Sequence, residues 1–375
     1  MMTGKLKTLL KAGLLTGLMS LCSVSEAGWP LFDEFKAVSM EGGRVIDYSD
    51  PRHITTSEGQ SYALFFALVA GDRQTFDDIW QWTKSHLMAE SALPAWLYGK
   101  LPLSEDPQRP SDATGVLDDN NATDSDLWIA YSLLEAARIF KEPAYREEAL
   151  KLMEALKGCT RKVPHLGLIL LPGLQGFEDE NAYLFNPSYC PYFLLSRLAL
   201  EDPFYKELNE GCLRALLRTS VHGVAPDWAR LDRRGNYLPS AEERGSYNAV
   251  RVYLFAGMLA PDTPVYARLK EHFAPVINAY LTQKSFMEPI AVQELTALHE
   301  GPLYLGLSML PWLPASKVSA LLRHHLNQRG MLKDGYYGNV LTLFALGFDR
   351  GRFHFLKDGT LCVTEPFSYE TYGEE

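Results

Sequence analysis

Five cysteines in 375 residues, widely spaced and without one Cys-x-x-Cys, leave no zinc ribbon and no redox motif of that kind. Histidine is sparse and scattered. His324-His325 sends its two rings to successive sides of a helix, and no His-Glu-x-x-His occurs. Gly-x-Ser-x-Gly is missing, which removes the serine nucleophile elbow, and so is any glycine-rich phosphate loop. No metal and no cofactor is expected. Positive charge is short as well: 36 Lys and Arg stand against 46 Asp and Glu, a formal net charge of −10. Nucleic acid and anionic membrane surfaces are therefore poor partners, whereas a neutral polysaccharide is compatible. No segment reaches the apolar length of a membrane span, so no membrane insertion is expected, and low-complexity tracts are absent.

The N-terminus carries the one targeting signal. Lys5, Lys7 and Lys11 lead into a mostly apolar run from Leu14 to Leu21, and Ser25-Glu26-Ala27 offers a small-x-small cleavage site. Residues 1–27 read as a secretory signal peptide, leaving a soluble periplasmic or secreted protein from near Gly28. Cys22 does not suggest a lipid anchor, because Leu21 stands where a small residue would be required. An oxidising compartment permits disulfides, but the spacing of Cys159, Cys190, Cys212 and Cys362 reveals no pairing. Cys190 and Cys212, in or beside helical stretches, read as buried thiols. Asn121-Ala122-Thr123 matches the N-glycosylation pattern, a motif short enough to arise by chance.

From residue 28 to 375 one domain is expected, with helical periodicity throughout. Residues 124–140 are apolar nearly all round, whereas 144–157 carry a single apolar stripe through Tyr145, Ala149, Leu152, Met153 and Leu156. The first pattern suits an inner helix and the second an outer one. The pairing recurs: 60–70, 188–200, 246–259, 302–312 and 335–348 read as inner, and 73–88, 203–219, 265–281 and 315–328 as outer. Residues 30–40 supply the outer partner of the last inner helix. Six helical hairpins predict an all-α fold, an (α/α)6 barrel with two concentric rings; an irregular α-superhelix is the alternative.

In such a barrel the segments that begin the inner helices converge at one rim. Glu58, Asp124, the segment Phe185 to Tyr189, and Ser246-Tyr247-Asn248 all fall there. Carboxylates beside aromatic rings suit acid/base cleavage of a glycosidic bond. A general acid at Glu58 needs burial or a neighbouring negative charge to keep its proton; the bland alternative is a first-turn glutamate favoured by the helix dipole. Asp124, like Asp126, could bind a sugar or simply cap a helix. Trp96, Trp128, Tyr183, Tyr189, Trp228, Tyr247 and Tyr337 lie near the presumed rim, where flat rings could cover pyranose faces, although most aromatics of a large core serve packing.

These segments resemble glycoside hydrolase family 8, and within it the periplasmic endo-β-1,4-glucanases of bacterial cellulose synthase operons. The likeness is carried by Arg44-Val45-Ile46-Asp47, Ile54 through Tyr62, Leu93 through Leu97 and Ala122 through Ala130. It continues through Phe185 to Tyr189, Pro226-Asp227-Trp228, Ser246-Tyr247 with Ala249 and Arg251-Val252-Tyr253, and Val340 through Phe344. The resemblance implies the six-hairpin barrel and an inverting hydrolase of cellulose, with the cellulose synthase and export complex as a partner. Glu58 would be the general acid, Asp124 the residue that holds the distorted sugar, and Tyr189, Tyr247 and Arg251 neighbours of the attacking water. The base of those enzymes is an aspartate directly after Ser-Tyr, where this chain has Asn248. Smaller departures are Ser125 for Gly or Ala and Phe140 for Trp. Three readings of Asn248 follow. Another acid (Glu242, Glu243 or Asp227) serves as base; the protein is a weak or inert glucan-binding component; or the substitution traps substrate, against which the intact leader speaks. Xylan, chitosan and mixed-linkage glucan are alternative substrates within the family.

Overall fold

Local polar signals start the helices. The Thr56 hydroxyl accepts from the Gly59 amide at 3.0 Å and opens one helix; Asp72 accepts from the Thr75 amide at 3.0 Å and opens the next, after Gly71 at φ 69° has ended the first. The computed structural model describes residues 28–89, 91–103, 110–240, 245–282, 302–313 and 317–364; the leader 1–27, Glu242 and Glu243 lie outside them. Among the described residues thirteen α-helices occur: α1 (Pro30–Ser39), α2 (Ser57–Ala70), α3 (Arg73–Leu87), α4 (Thr123–Ile139), α5 (Pro143–Leu156), α6 (Tyr192–Leu198) and α7 (Phe204–Thr219). They continue as α8 (Ala249–Gly257), α9 (Pro264–His272), α10 (Ala274–Thr282), α11 (Pro302–Met309), α12 (Lys317–Arg329) and α13 (Tyr336–Asp349).

The protein is mostly helical, and the expected alternation holds where it can be followed. α2 and α4 are buried almost all round, whereas α3, α5 and α7 bury one stripe. Two expected helices are interrupted. The stretch 188–200 begins as a single 3-10 turn, Pro187–Tyr189, and restarts at Tyr192, because Pro191 forces Cys190 out of the helical region (φ −120°, ψ 63°). The outer stretch 265–281 breaks at Phe273 into α9 and α10.

The reading of a chain helical throughout misses eleven strands of two to five residues among the described residues, which pair antiparallel in five small sheets. All but the last two, Phe353–Phe355 and Leu361–Val363, belong to segments that precede inner helices. Thr55–Thr56 pairs with Leu97–Lys100, which pairs with Thr114–Asp118, so the approaches to α2 and α4 share one sheet. Ala182–Phe185 pairs with Ala229–Asp232 on the approaches to α6 and α8. Pairing satisfies backbone groups that the loops would otherwise bury unpaired.

The core centres on one ring. Trp128 of α4, fully buried, meets Tyr62 and Phe65 of α2, Phe193 of α6, Phe255 of α8 and Phe344 of α13, with centroids 5.0–5.7 Å apart. Outer elements press close where side chains vanish: a Cβ at Gly211 of α7 would stand 1.7 Å from the Leu168 carbonyl oxygen. Away from the rim, the antiparallel pair Phe353–Phe355 and Leu361–Val363 covers the other end of α4 and α6. Phe355 stacks on Phe193 at 3.8 Å, and the Tyr131 hydroxyl donates to Gly359 O at 2.8 Å. Buried Glu135 accepts from Arg197 at 2.5 Å, Arg138 at 2.6 Å and the Leu361 amide at 2.9 Å.

Candidate active site

Glu58 and Asp124 each stand in the first turn of an inner helix, and Arg251 in the first turn of α8 reaches both. Its Nη1 donates to Glu58 Oε2, to Asp124 Oδ2 at 2.9 Å and to the Tyr62 hydroxyl at 2.9 Å; its Nη2 donates to Asn248 Oδ1 at 2.5 Å. One buried guanidinium thus gathers two carboxylates, a phenol and a carboxamide. Two carboxylate oxygens on one nitrogen sit closer together than the ~6.5–9.5 Å that an inverting acid/base pair needs for its water. Glu58 and Asp124 therefore do not form such a pair.

Glu58, Tyr247, Asn248, Arg251 and Tyr337 line a cavity of about 260 Å³. Burial raises the pKa of Glu58, Arg251 pulls it back, and Asp124 pushes it up again, with a net rise. A carboxyl that keeps its proton while facing a cavity has the requirement of a general acid. Arg251 stays charged: burial works against it, but Tyr62, Glu58, Tyr337 and Asp124 outweigh that cost. Asp124, almost wholly buried, accepts from the Ser125 amide at 2.8 Å, so it bonds its own helix as well as Arg251.

Asp227 organises the α8 turn. One carboxylate oxygen accepts from the amides of Ser246, Asn248 and Ala249 at 2.8–2.9 Å, and the other from the Ser246 hydroxyl. These bonds hold Asn248 and Arg251 in place, and Asp227 is not among the residues lining the cavity. The Tyr337 hydroxyl donates to Tyr247 O, joining the mouths of α13 and α8. Tyr189, half-buried, lies with its ring 5.7 Å from the Arg251 guanidinium and 6.0 Å from Trp228, which in turn lies parallel to Phe177. Trp96, 36% exposed, is tied to both neighbouring helix mouths: its carbonyl accepts from the Ser57 amide and its amide donates to Asn120 O.

Two expected sugar-facing rings lie elsewhere. Trp128 is 0% exposed, one helical turn below Asp124 and enclosed by core rings, so it presents no face to a ligand. Tyr183 is 8% exposed, and Arg233 covers its ring at 4.2 Å. Asn121 is also buried, its amide donating to Asp126 at 2.7 Å and its oxygen accepting from the Leu174 amide, which leaves no accessible glycosylation site. Tyr62 and Tyr336 were not singled out by sequence. Tyr62 follows Glu58 by four residues, the spacing that shares a helix face. Tyr336 packs over Gly59, where a Cβ would stand 3.0 Å from its hydroxyl, and its signal was adjacency to Tyr337.

A helical scaffold with a carboxyl of raised pKa, a buried arginine and aromatic rings at the mouths of its inner helices is the architecture of a known carbohydrate-active class. Residues 6–351 match glycosyl hydrolases family 8, and the chain belongs to that family. It is 40% identical over 354 residues to an endoglucanase of Salmonella typhi, covering 92% of this chain and 93% of that one. Among solved structures, the endo-1,4-D-glucanase from Vibrio fischeri is similar with a TM-score of 0.79 and 37% identity, covering 89% of this chain and 99% of that one. The endo-β-1,4-glucanase CMCax from Acetobacter xylinum has a TM-score of 0.66 and 25% identity, over 86% and 97%.

Proposed function

We propose that the protein is an endo-acting β-1,4-glucanase in which Glu58 protonates the leaving glycosidic oxygen. Arg251 carries the proposal, because it brings Glu58, Asp124 and Asn248 together beside one cavity. Asp124, fixed by Arg251 and Ser125, holds the distorted sugar. Tyr189, Trp228, Tyr247 and Trp96 contribute aromatic surface along the glucan. The six inner helices close into an (α/α)6 barrel, a reading supported by Trp128 touching rings of four other inner helices. Residues 28–375 form one domain, exported by the leader 1–27 to the periplasm or beyond, and the chain acts on cellulose made by the synthase and export complex.

Asn248 limits the chemistry. Its Oδ1 is engaged by Arg251, and a carboxamide can position a water but cannot take its proton. Loss of a positioned base costs on the order of 10²–10⁴ in rate. The second reading, a glucan-binding protein with little turnover, is favoured by this residue alone. Release of reducing ends from carboxymethylcellulose by the full chain and by Glu58→Gln separates the two. Loss of activity in the variant supports the enzyme; equal rates refute it.

A further inference from the structure

Cys190 follows the 3-10 turn that carries Tyr189, and Cys212 lies on the buried face of α7. The chain beyond Cys190 is fastened along α7, where Asn209 Nδ2, three residues before Cys212, donates to Tyr192 O and to Ser196 Oγ, each at 3.0 Å. Both cysteines line one small cavity of about 30 Å³, shared with Ser188, Tyr192, Leu216 and Phe255. Neither Cys159 nor Cys362 lines it; Cys159 instead receives the Asn121 amide at 3.6 Å. Burial, and then the neighbouring Cys212 thiol, raise the pKa of Cys190.

We infer that Cys190 and Cys212 form a modification site, a thiol pair that a disulfide-bearing oxidant closes into a Cys190–Cys212 bond. Cys190, the partly exposed member, gives up its proton and attacks a sulfur of the oxidant's disulfide. That bond breaks, a mixed disulfide forms and the first oxidant thiol leaves. The Cys212 thiolate then attacks Cys190 Sγ and expels the second oxidant thiol. The protein loses two protons and two electrons, and the oxidant's disulfide gains both as two thiols. The new bond fixes the backbone behind Tyr189 to α7. This inference does not rest on the glucanase reading.

The test treats the full chain with oxidised glutathione or with a phosphine reductant, then maps peptides without reduction and records thermal unfolding. The expected result is a linked Cys190–Cys212 peptide, two fewer titratable thiols after denaturation, and a Tm above that of the reduced protein. That Tm difference vanishes in Cys190→Ser and in Cys212→Ser and persists in Cys159→Ser. Absence of the linked peptide, glutathione held singly on Cys190, or a Tm difference that survives both serine variants overturns the inference.

Discussion

Asn248→Asp restores a carboxylate where the family resemblance places the base, and its effect can be worked from the geometry of Arg251. The Asn248 oxygen already accepts from Nη2 at 2.5 Å, so an aspartate of equal shape takes the same position without repacking. A well-placed base contributes about 10²–10⁴ in rate. The bond to Arg251 becomes charge-assisted and stabilises the ionised carboxylate, which makes it a weaker base. The gain therefore falls at the low end, about 10²-fold in kcat. A second negative charge near Glu58 also favours retention of the Glu58 proton, so the activity of the variant extends to higher pH. Initial rates of reducing-end release from carboxymethylcellulose, followed across pH, measure both effects. Asn248→Ala, which removes the Arg251 partner without supplying a base, remains as slow as the parent. A kcat for Asn248→Asp equal to that of the parent refutes the reasoning and places the base on another acid, with Glu242 and Glu243 the remaining sequence candidates.

Arg251→Met leaves Asp124 without its cation; breaking that buried ion pair costs about 3–5 kcal/mol, and urea unfolding at neutral pH is expected to show it. Asp126→Asn probes a buried carboxyl whose pKa is raised well above 3.8, chiefly by burial, against the Asn121 bond. The folded state keeps a proton there that the unfolded chain releases. The parent therefore loses stability as pH rises above 3.8 toward the folded pKa, and the variant lacks that loss. The difference in urea midpoint should move in the variant's favour as the pH rises above about 4. Gly211→Ala drives a methyl into the Leu168 carbonyl, an overpacking of about 1–3 kcal/mol or more, measurable as a lowered Tm.

Helices were legible because their signal repeats over ten or more residues. The all-round apolarity of 124–140 and the stripe of 144–157 correspond to a buried α4 and an outer α5. The short strands were not, since a two-residue pairing such as Thr55–Thr56 with Leu97 and Tyr98 leaves no period to read. Glu58, Asp124, Asn248 and Arg251 converge as their motifs suggested, but a motif does not say that one nitrogen serves three of the bonds. Depth along a helix was the other blind spot. Trp128 is four residues past Asp124, which carries it about 6 Å, just over one turn, from rim to core. Tyr62 is likewise four past Glu58, yet the tilt of Cα–Cβ bonds toward the N-terminus and a long side chain return its hydroxyl to the rim.

The strand pair at Phe353–Phe355 and Leu361–Val363 has a consequence for how the protein is made. Residues from near the C-terminal end of the described chain satisfy Glu135, Arg138 and Tyr131 on α4, which is synthesised more than two hundred residues earlier. Until that hairpin is made, Glu135 is held by Arg138 and Arg197 alone, without the Leu361 amide, and the Tyr131 hydroxyl lacks the Gly359 carbonyl. The hairpin therefore closes that end of α4 late, over helices whose apolar partners in α2 and α5 precede it in the chain.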